Sequence, residues 1–282
     1  MQLATIVLLA LGQLPGQVIP APEVAPDIKM HVHGTHALEP GVFMLAQGYE
    51  DHLLCTLEIP SDFHIYWSNP GASGSATDIQ VTAPDSCTVG ATLYPRPEVF
   101  HGPEGDTYGY EDRVTFLVPI TSTALGKVDV EIKARWLACR KACYMGRASS
   151  EIKLSVVGHV RPASTPALKS AMKSLPAPLA NRGDTKAVLE PDRLIVTGPI
   201  GKDEAISFIP GHVPGVLLGD PQIDRDETHF TLVVPYEVQP RDSLGVEPRI
   251  HGLLCFGTDR MDPSFEITMP LPHAAENELN TD

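Results

Sequence analysis

The sequence predicts an all-β protein built from two β-sandwich domains, joined by a Pro-rich linker that holds one short helix. Three observations carry that prediction. Short runs of alternating apolar and polar residues recur along the chain, with few long helical periods. The 282 residues include 27 Pro and 23 Gly with 43% hydrophobic residues, a composition of many strands and turns rather than of a helical bundle or an α/β sheet. The length suffices for two domains of ordinary size, and the composition changes after Val157.

Taken in order, residues 1–27 read as a signal peptide and spacer. Leu3 to Leu11 is apolar and of signal-peptide length, although no Lys or Arg precedes it and no clear cleavage site follows. Gln13 to Asp27 is Pro-rich, which favours a spacer; the other reading is a buried first strand. No run of eighteen apolar residues occurs anywhere, so no transmembrane helix is expected. An exported, periplasmic or extracytoplasmic location would permit thiol–disulfide chemistry among the five cysteines.

The first domain is expected over residues 28–158. His31, His33 and His36 lie close together in a weakly alternating stretch, as an exposed edge strand would place them; no metal site is expected there. Leu53 to Ile59 alternates as a strand and contains Cys55. An aromatic strand follows, with Phe63, Tyr66 and Trp67 as core candidates, and breaks at Asn69-Pro70-Gly71. Ile79 to Val81, Cys87 to Leu93 and Val114 to Pro119 continue the series. Between the last two lies a long loop, Pro95 to Tyr110, rich in Pro and Gly, whose length and two tyrosines suit a segment that covers or presents a site.

Residues 159–183 read as the linker. Ser164 or Thr165 can cap a short helix that has Pro166 in its first turn. A second β series, over 184–272, contains Cys255 as a core thiol and no defensible acid–base constellation. Residues 273–282 form an acidic tail.

The chemistry concentrates at Trp136-Leu137-Ala138-Cys139-Arg140-Lys141-Ala142-Cys143-Tyr144. Alternating runs on either side, Val128 to Trp136 and Ile152 to Val156, place the two cysteines across a hairpin end, close enough for a disulfide. As a staple such a bridge adds little. Closing a five-residue loop gives about 2 kcal/mol in the chain-entropy estimate, and a hairpin already holds its ends together. Arg135, Arg140, Lys141 and Arg147 crowd the pair in a chain of formal net charge −14, and local positive charge favours the reactive thiolate. A redox pair is therefore favoured over a static bridge, and both over a zinc site, which needs a second ligand pair nearby. Cys55 and Cys87 are candidates for a second disulfide, or are two free thiols. The acidic balance argues against a nucleic-acid groove.

Four stretches in series, Tyr66-Trp67-Ser68-Asn69-Pro70-Gly71-Ala72-Ser73-Gly74, Tyr94-Pro95-Arg96-Pro97, Tyr108-Gly109-Tyr110-Glu111 and Trp136-Leu137-Ala138-Cys139 with Cys143, resemble the N-terminal periplasmic region of the DsbD and ScsB thiol:disulfide interchange proteins. The resemblance covers roughly residues 30–157. It extends faintly over 185–270 to the second β-domain of the ScsB-like members. It implies an immunoglobulin-like sandwich in which Cys139 and Cys143 accept electrons and pass them to oxidised exported proteins, with no cofactor. It places Tyr108 and Tyr110 near the pair, alongside Trp136, Arg140 and Lys141. The family usually carries a Pro shortly after the second cysteine, where Tyr144-Met145-Gly146 stands here. Full-length members continue into membrane and thioredoxin-like domains. The expectation is that a separate membrane or thioredoxin-like donor reduces this chain, or that it keeps the fold as a binding module.

Two other functions compete. One is a non-catalytic interaction protein with a structural 139–143 bridge. The other is a soft-metal binder, motivated by five cysteines, seven methionines and eleven histidines, since thiolate and thioether ligands favour Cu(I).

Overall fold

The computed structural model describes residues 24–34, 37–39, 42–158, 165–239 and 248–271. The expected leader through residue 23, His36 and the acidic tail lie outside them. Among the described residues, no helix is long and apolar enough to cross a membrane.

The first half contains β1 (Lys29–Gly34), β2 (Ala37–Glu39), β3 (Val42–Ala46), β4 (Asp51–Glu58), β5 (His64–Gly71), β6 (Asp78–Thr82), β7 (Cys87–Val89), β8 (Glu98–Gly102), β9 (Gly105–Tyr110), β10 (Arg113–Ser122), β11 (Gly126–Cys139) and β12 (Cys143–Val157). They form two sheets, one in the order β1-β4-β10-β7 and the other β2-β3-β12-β11-β5-β9-β8, with β6 also on β11. Alternation along β11 explains the layering. Val128, Val130, Ile132, Ala134, Trp136 and Ala138 are buried, while Lys127, Asp129, Lys133 and Arg135 face outward. The inward set joins Leu53, Leu57, Phe116, Val118, Ile65 and Tyr110 in one core.

Strand β4 departs from the alternation the sequence leads one to expect, because seven of its eight residues are buried. The cause is the linker helix α1 (Pro166–Lys173), N-capped by Thr165, whose hydroxyl accepts from the Leu168 amide. Its Leu168 and Ala171 cover Leu54 and Leu117 on the outer side of the β4–β10 sheet. The expected 95–110 loop is instead the hairpin β8–β9, paired on β5. The Asn69-Pro70-Gly71 turn signal is the end of β5, where Gly71 takes φ +83° and a Cβ would meet the Asp106 carbonyl oxygen at 2.3 Å.

The second half has β13 (Ala177–Pro178), β14 (Lys186–Leu189), β15 (Arg193–Pro199), β16 (Ile206–Pro210), β17 (Val216–Leu218), β18 (Gln222–Arg225), β19 (His229–Val238), β20 (Arg249–Phe256) and β21 (Ser264–Pro270). One sheet runs β13-β21-β20-β16; the other runs β14-β15-β19-β17 with β18 on β19. Leu194, Val196, Phe230, Leu232, Val234, Leu254 and Phe256 fill the space between them.

The two sandwiches are tied together at the root of the β8–β9 hairpin. Arg96, 5% exposed, donates from Nη1 to the Phe256 carbonyl oxygen at 2.7 Å and from Nη2 to that of Gly257 at 2.9 Å. Longer bonds run from Nη1 to the Asp262 and Pro263 carbonyls. Asn69 donates to the Pro210 carbonyl oxygen at 2.7 Å, the Trp67 ring stacks on His251, and Ile209, Leu253 and Cys255 join the first core. The second sandwich thus braces the strand and the hairpin that flank the cysteine pair.

Candidate functional site

Strands β11 and β12 form an antiparallel hairpin in which Cys139 pairs with Cys143 across the three-residue connection Arg140-Lys141-Ala142. The cysteines are bonded to each other, with Cα atoms 4.1 Å apart. By the alternation of β11, Cys139 belongs to the outward face, together with Leu137 and Arg135 and opposite to Trp136 and Ala138. Yet Cys139 is only 3% exposed, whereas Cys143 is exposed. The bridge therefore joins an exposed cysteine to a sheltered one.

Strand β5 supplies the shelter. It takes over the edge of β11 only at the tip, pairing Ala138 with Ile65 and Cys139 with His64; further down, β6 holds that edge. Directly paired residues share a face, so His64 stands on the outward side next to Cys139. Its ring stacks on Phe100 of β8, centroids 4.8 Å apart, and its Nε2 lies 3.3 Å from the Tyr66 hydroxyl. Burial holds the His64 pKa below the ordinary histidine value, so at neutral pH a neutral imidazole sits beside Cys139. On the other side of the tip, the Arg140 guanidinium lies 4.8 Å from the centroid of Phe63 and 3.9 Å from Asp62. Phe63 also meets Tyr144 edge-on.

The expected neighbours divide. Arg140 and Lys141 are in the connection itself. Trp136 is adjacent in sequence but lies on the inward face, over Gly146, where a Cβ would come within 2.2 Å of its Nε1. Tyr108 and Tyr110 also serve the core rather than the sulfurs. Tyr110 pairs with Ile65, two strands from β11, and donates its buried hydroxyl to the Pro95 carbonyl oxygen; Tyr108 packs edge-on against Trp67. Their period-two spacing sends both to one face, and β9 turns that face inward. His64 and Phe100 were not singled out in the sequence. A histidine opening a strand carries no signal until the strand's register on β11 is known.

The Cys55–Cys87 bridge does not form, and both are free thiols. Cys55 pairs with Phe116 and Cys87 with Ser122 on the same strand β10, which separates them by about 20 Å along β10, far beyond disulfide reach. Burial pushes the Cys55 thiol up to about 12 and that of Cys255 to about 11, despite the opposing pull of Arg96. Both are core thiols with little thiolate. Among the described residues, no group of three or more His, Cys, Asp or Glu is arranged to hold a metal ion.

Residues 36–154 match the family described as thiol:disulfide interchange protein DsbD, N-terminal, a span that includes both bridged cysteines, His64 and Phe100. Among solved structures, the chain is similar to the N-terminal periplasmic domain of ScsB from Proteus mirabilis, with 15% identity and a TM-score of 0.55 over 87% of this chain and 94% of that one. The CupB6 tip adhesin from Pseudomonas aeruginosa aligns over 89% of this chain and 100% of its own, at 11% identity and a TM-score of 0.20, too low to bear on the fold. No curated protein matches the sequence.

Proposed function

We propose, from the match of residues 36–154 to the family described as thiol:disulfide interchange protein DsbD, N-terminal, that the chain is an exported module relaying electrons from a reductant protein to oxidised partners through Cys139 and Cys143. The observation that carries the reading is the asymmetry of the bridge, with an exposed Cys143 and a sheltered Cys139.

Exchange proceeds by in-line attack of a thiolate on one sulfur, and access decides which sulfur is attacked. A donor thiolate reaches Cys143 Sγ. The Cys139–Cys143 bond breaks, a mixed disulfide to Cys143 forms, and Cys139 leaves as a thiolate. The donor's second thiolate then attacks its own sulfur in that mixed disulfide. This releases the Cys143 thiolate and oxidises the donor, and two electrons now reside on the pair. The forward relay runs the same way. The Cys143 thiolate attacks the disulfide of an oxidised partner, and Cys139 resolves the mixed disulfide, restoring the bridge and freeing the reduced partner. The family resemblance supports a membrane or thioredoxin-like donor and exported substrates, and no cofactor enters the scheme.

The experiment is a trap. In Cys139→Ser the exposed Cys143 attacks but nothing resolves, so mixed disulfides with oxidised proteins accumulate and disappear on reduction. Cys143→Ser, whose remaining thiol is sheltered, accumulates few. Equal trapping by both, or by neither, removes the proposed order of attack. The structural-bridge reading has less support, because the register of β11 on β12 already holds the tip closed.

A further inference from the structure

The outward face of the β11–β12 hairpin carries three successive cross-strand pairs, which are Cys139 with Cys143, Leu137 with Met145, and Arg135 with Arg147. Met145 is 90% exposed, the largest exposure among the large hydrophobic side chains in the described residues, and it stands next to the exposed Cys143. The third pair sets two guanidinium groups directly opposite one another, an arrangement that costs stability in a sheet. Asp78, the β6 partner of Arg135, relieves one of them at 2.7 Å. Arg147 has no ion pair or hydrogen bond among the described residues, and both arginines are exposed. The neighbouring cations add to the same surface. Lys141 is exposed in the connection, Arg140 has Asp62 at 3.9 Å, and Lys133 has Glu131 at 2.9 Å. A local surplus of positive charge thus surrounds one sulfur of a chain whose formal net charge is −14.

We infer that this strip is the docking surface for the thiol partner, and that the partner presents an apolar residue followed by a carboxylate beside its reactive cysteine. The inference rests on the exchange reading above. Outward residues of a strand recur about every 7 Å. A partner whose sulfur engages Cys143 meets Met145 about 7 Å away and Arg147 about 14 Å away. Methionine suits such a contact because its flexible thioether packs against varied apolar surfaces. The Arg147 fork takes a carboxylate in a two-point hydrogen-bonded geometry, which removes the uncompensated repulsion with Arg135. An extended segment with cysteine, leucine and glutamate at alternate positions fits the three rows in order. A partner with a basic residue at the third row is repelled.

The test uses the full chain in its oxidised form and two synthetic peptide thiols. Each has a leucine two residues and a charged residue four residues from the cysteine, glutamate in one and lysine in the other. The rate at which each opens the 139–143 bridge is divided by the rate for dithiothreitol on the same protein. At low salt the glutamate peptide is expected to react about tenfold faster than the lysine peptide. The ratio should approach one at about 1 M salt, where the screening length falls to about 3 Å. Arg147→Glu should reverse the preference, and Met145→Ser should slow both peptides relative to dithiothreitol. Arg147→Gln and Arg147→Glu should unfold at no lower temperature than the parent, since each removes the Arg–Arg repulsion, so a loss of preference is not a loss of fold. A glutamate-to-lysine ratio near one at low salt, or one that Arg147→Glu leaves in place, overturns the docking surface while leaving the exchange reading intact. A bridge that dithiothreitol opens no faster than a structural disulfide overturns both.

Discussion

Replacing Arg96 with alanine is expected to destabilise the protein by about 3 kcal/mol and to separate the unfolding of the two sandwiches. Arg96 leaves the first sandwich and ends among four carbonyl groups of the second, with its two short bonds at 2.7 and 2.9 Å. Hydrogen bonds with a charged partner contribute about 1.5–3 kcal/mol each, so two give about 3–6 kcal/mol. Truncation lets water reach part of the vacated space and rehydrate some carbonyls, which favours the lower end of that range. The remaining ties, Asn69 to Pro210 and Trp67 against His251, are too few to keep the halves fully coupled. Urea unfolding followed by tryptophan fluorescence and by circular dichroism reads both effects. Both tryptophans, Trp67 and Trp136, lie in the first sandwich, whereas circular dichroism reports the strands of both. The expectation is coincident curves for the parent and displaced ones for Arg96→Ala, with Arg96→Lys intermediate because an ammonium cannot reach two carbonyls in the same fork. A loss below about 1 kcal/mol with coincident curves would show that Arg96 does not hold the sandwiches together.

Four further outcomes follow from the same geometry. Gly146→Ala places a methyl 2.2 Å from Trp136 Nε1 and should cost about 1–3 kcal/mol in thermal unfolding, while Ser149→Ala on the opposite face costs nearly nothing. His64 and His33 both have pKa values held down, chiefly by burial, so the unfolded chain binds more protons than the folded one below its own histidine pKa. Stability should therefore fall as pH drops below about 6.5, and His64→Asn together with His33→Asn should flatten that slope in urea titrations. If the His64 imidazole stabilises the Cys139 thiolate once the bridge opens, His64→Ala should lower the reduction potential by about 30 mV, equivalent to one unit of thiol pKa; an unchanged potential refutes that role. Native alkylation at pH 8 after mild reduction should label the exposed Cys143 and the partly exposed Cys87 first, the sheltered Cys139 more slowly, and spare Cys55 and Cys255, whose buried thiols are pushed up to about 12 and about 11.

Much of this was legible in the sequence because it is local. Period-two alternation marks β11 and β12, a cysteine at each end of a three-residue gap marks their connection, and Thr165-Pro166 marks the start of the helix. What was not legible depends on partners distant in the chain. Strand β4 is buried on both sides only because a helix more than a hundred residues later covers it. The β8–β9 hairpin is hidden by its Pro and Gly content, and it pairs only because β5 offers an edge. The tyrosines of Tyr108-Gly109-Tyr110 were expected near the sulfurs, but register turns them into the core. The same register brings His64, unremarkable in sequence, beside Cys139. The Cys55–Cys87 pairing fails for a related reason. Both cysteines lie in strands of one sheet, yet they meet β10 six residues apart.

The central claim is that the Cys139–Cys143 bond works rather than merely braces a hairpin. The reduction potential tests it most directly, measured by alkylation and mass spectrometry of the full chain across thiol buffers of known poise. The account predicts a potential in the range of exchange proteins, about −120 to −270 mV. A value below about −300 mV, typical of structural disulfides, would contradict it and leave the chain as a two-sandwich interaction protein with a permanent bridge.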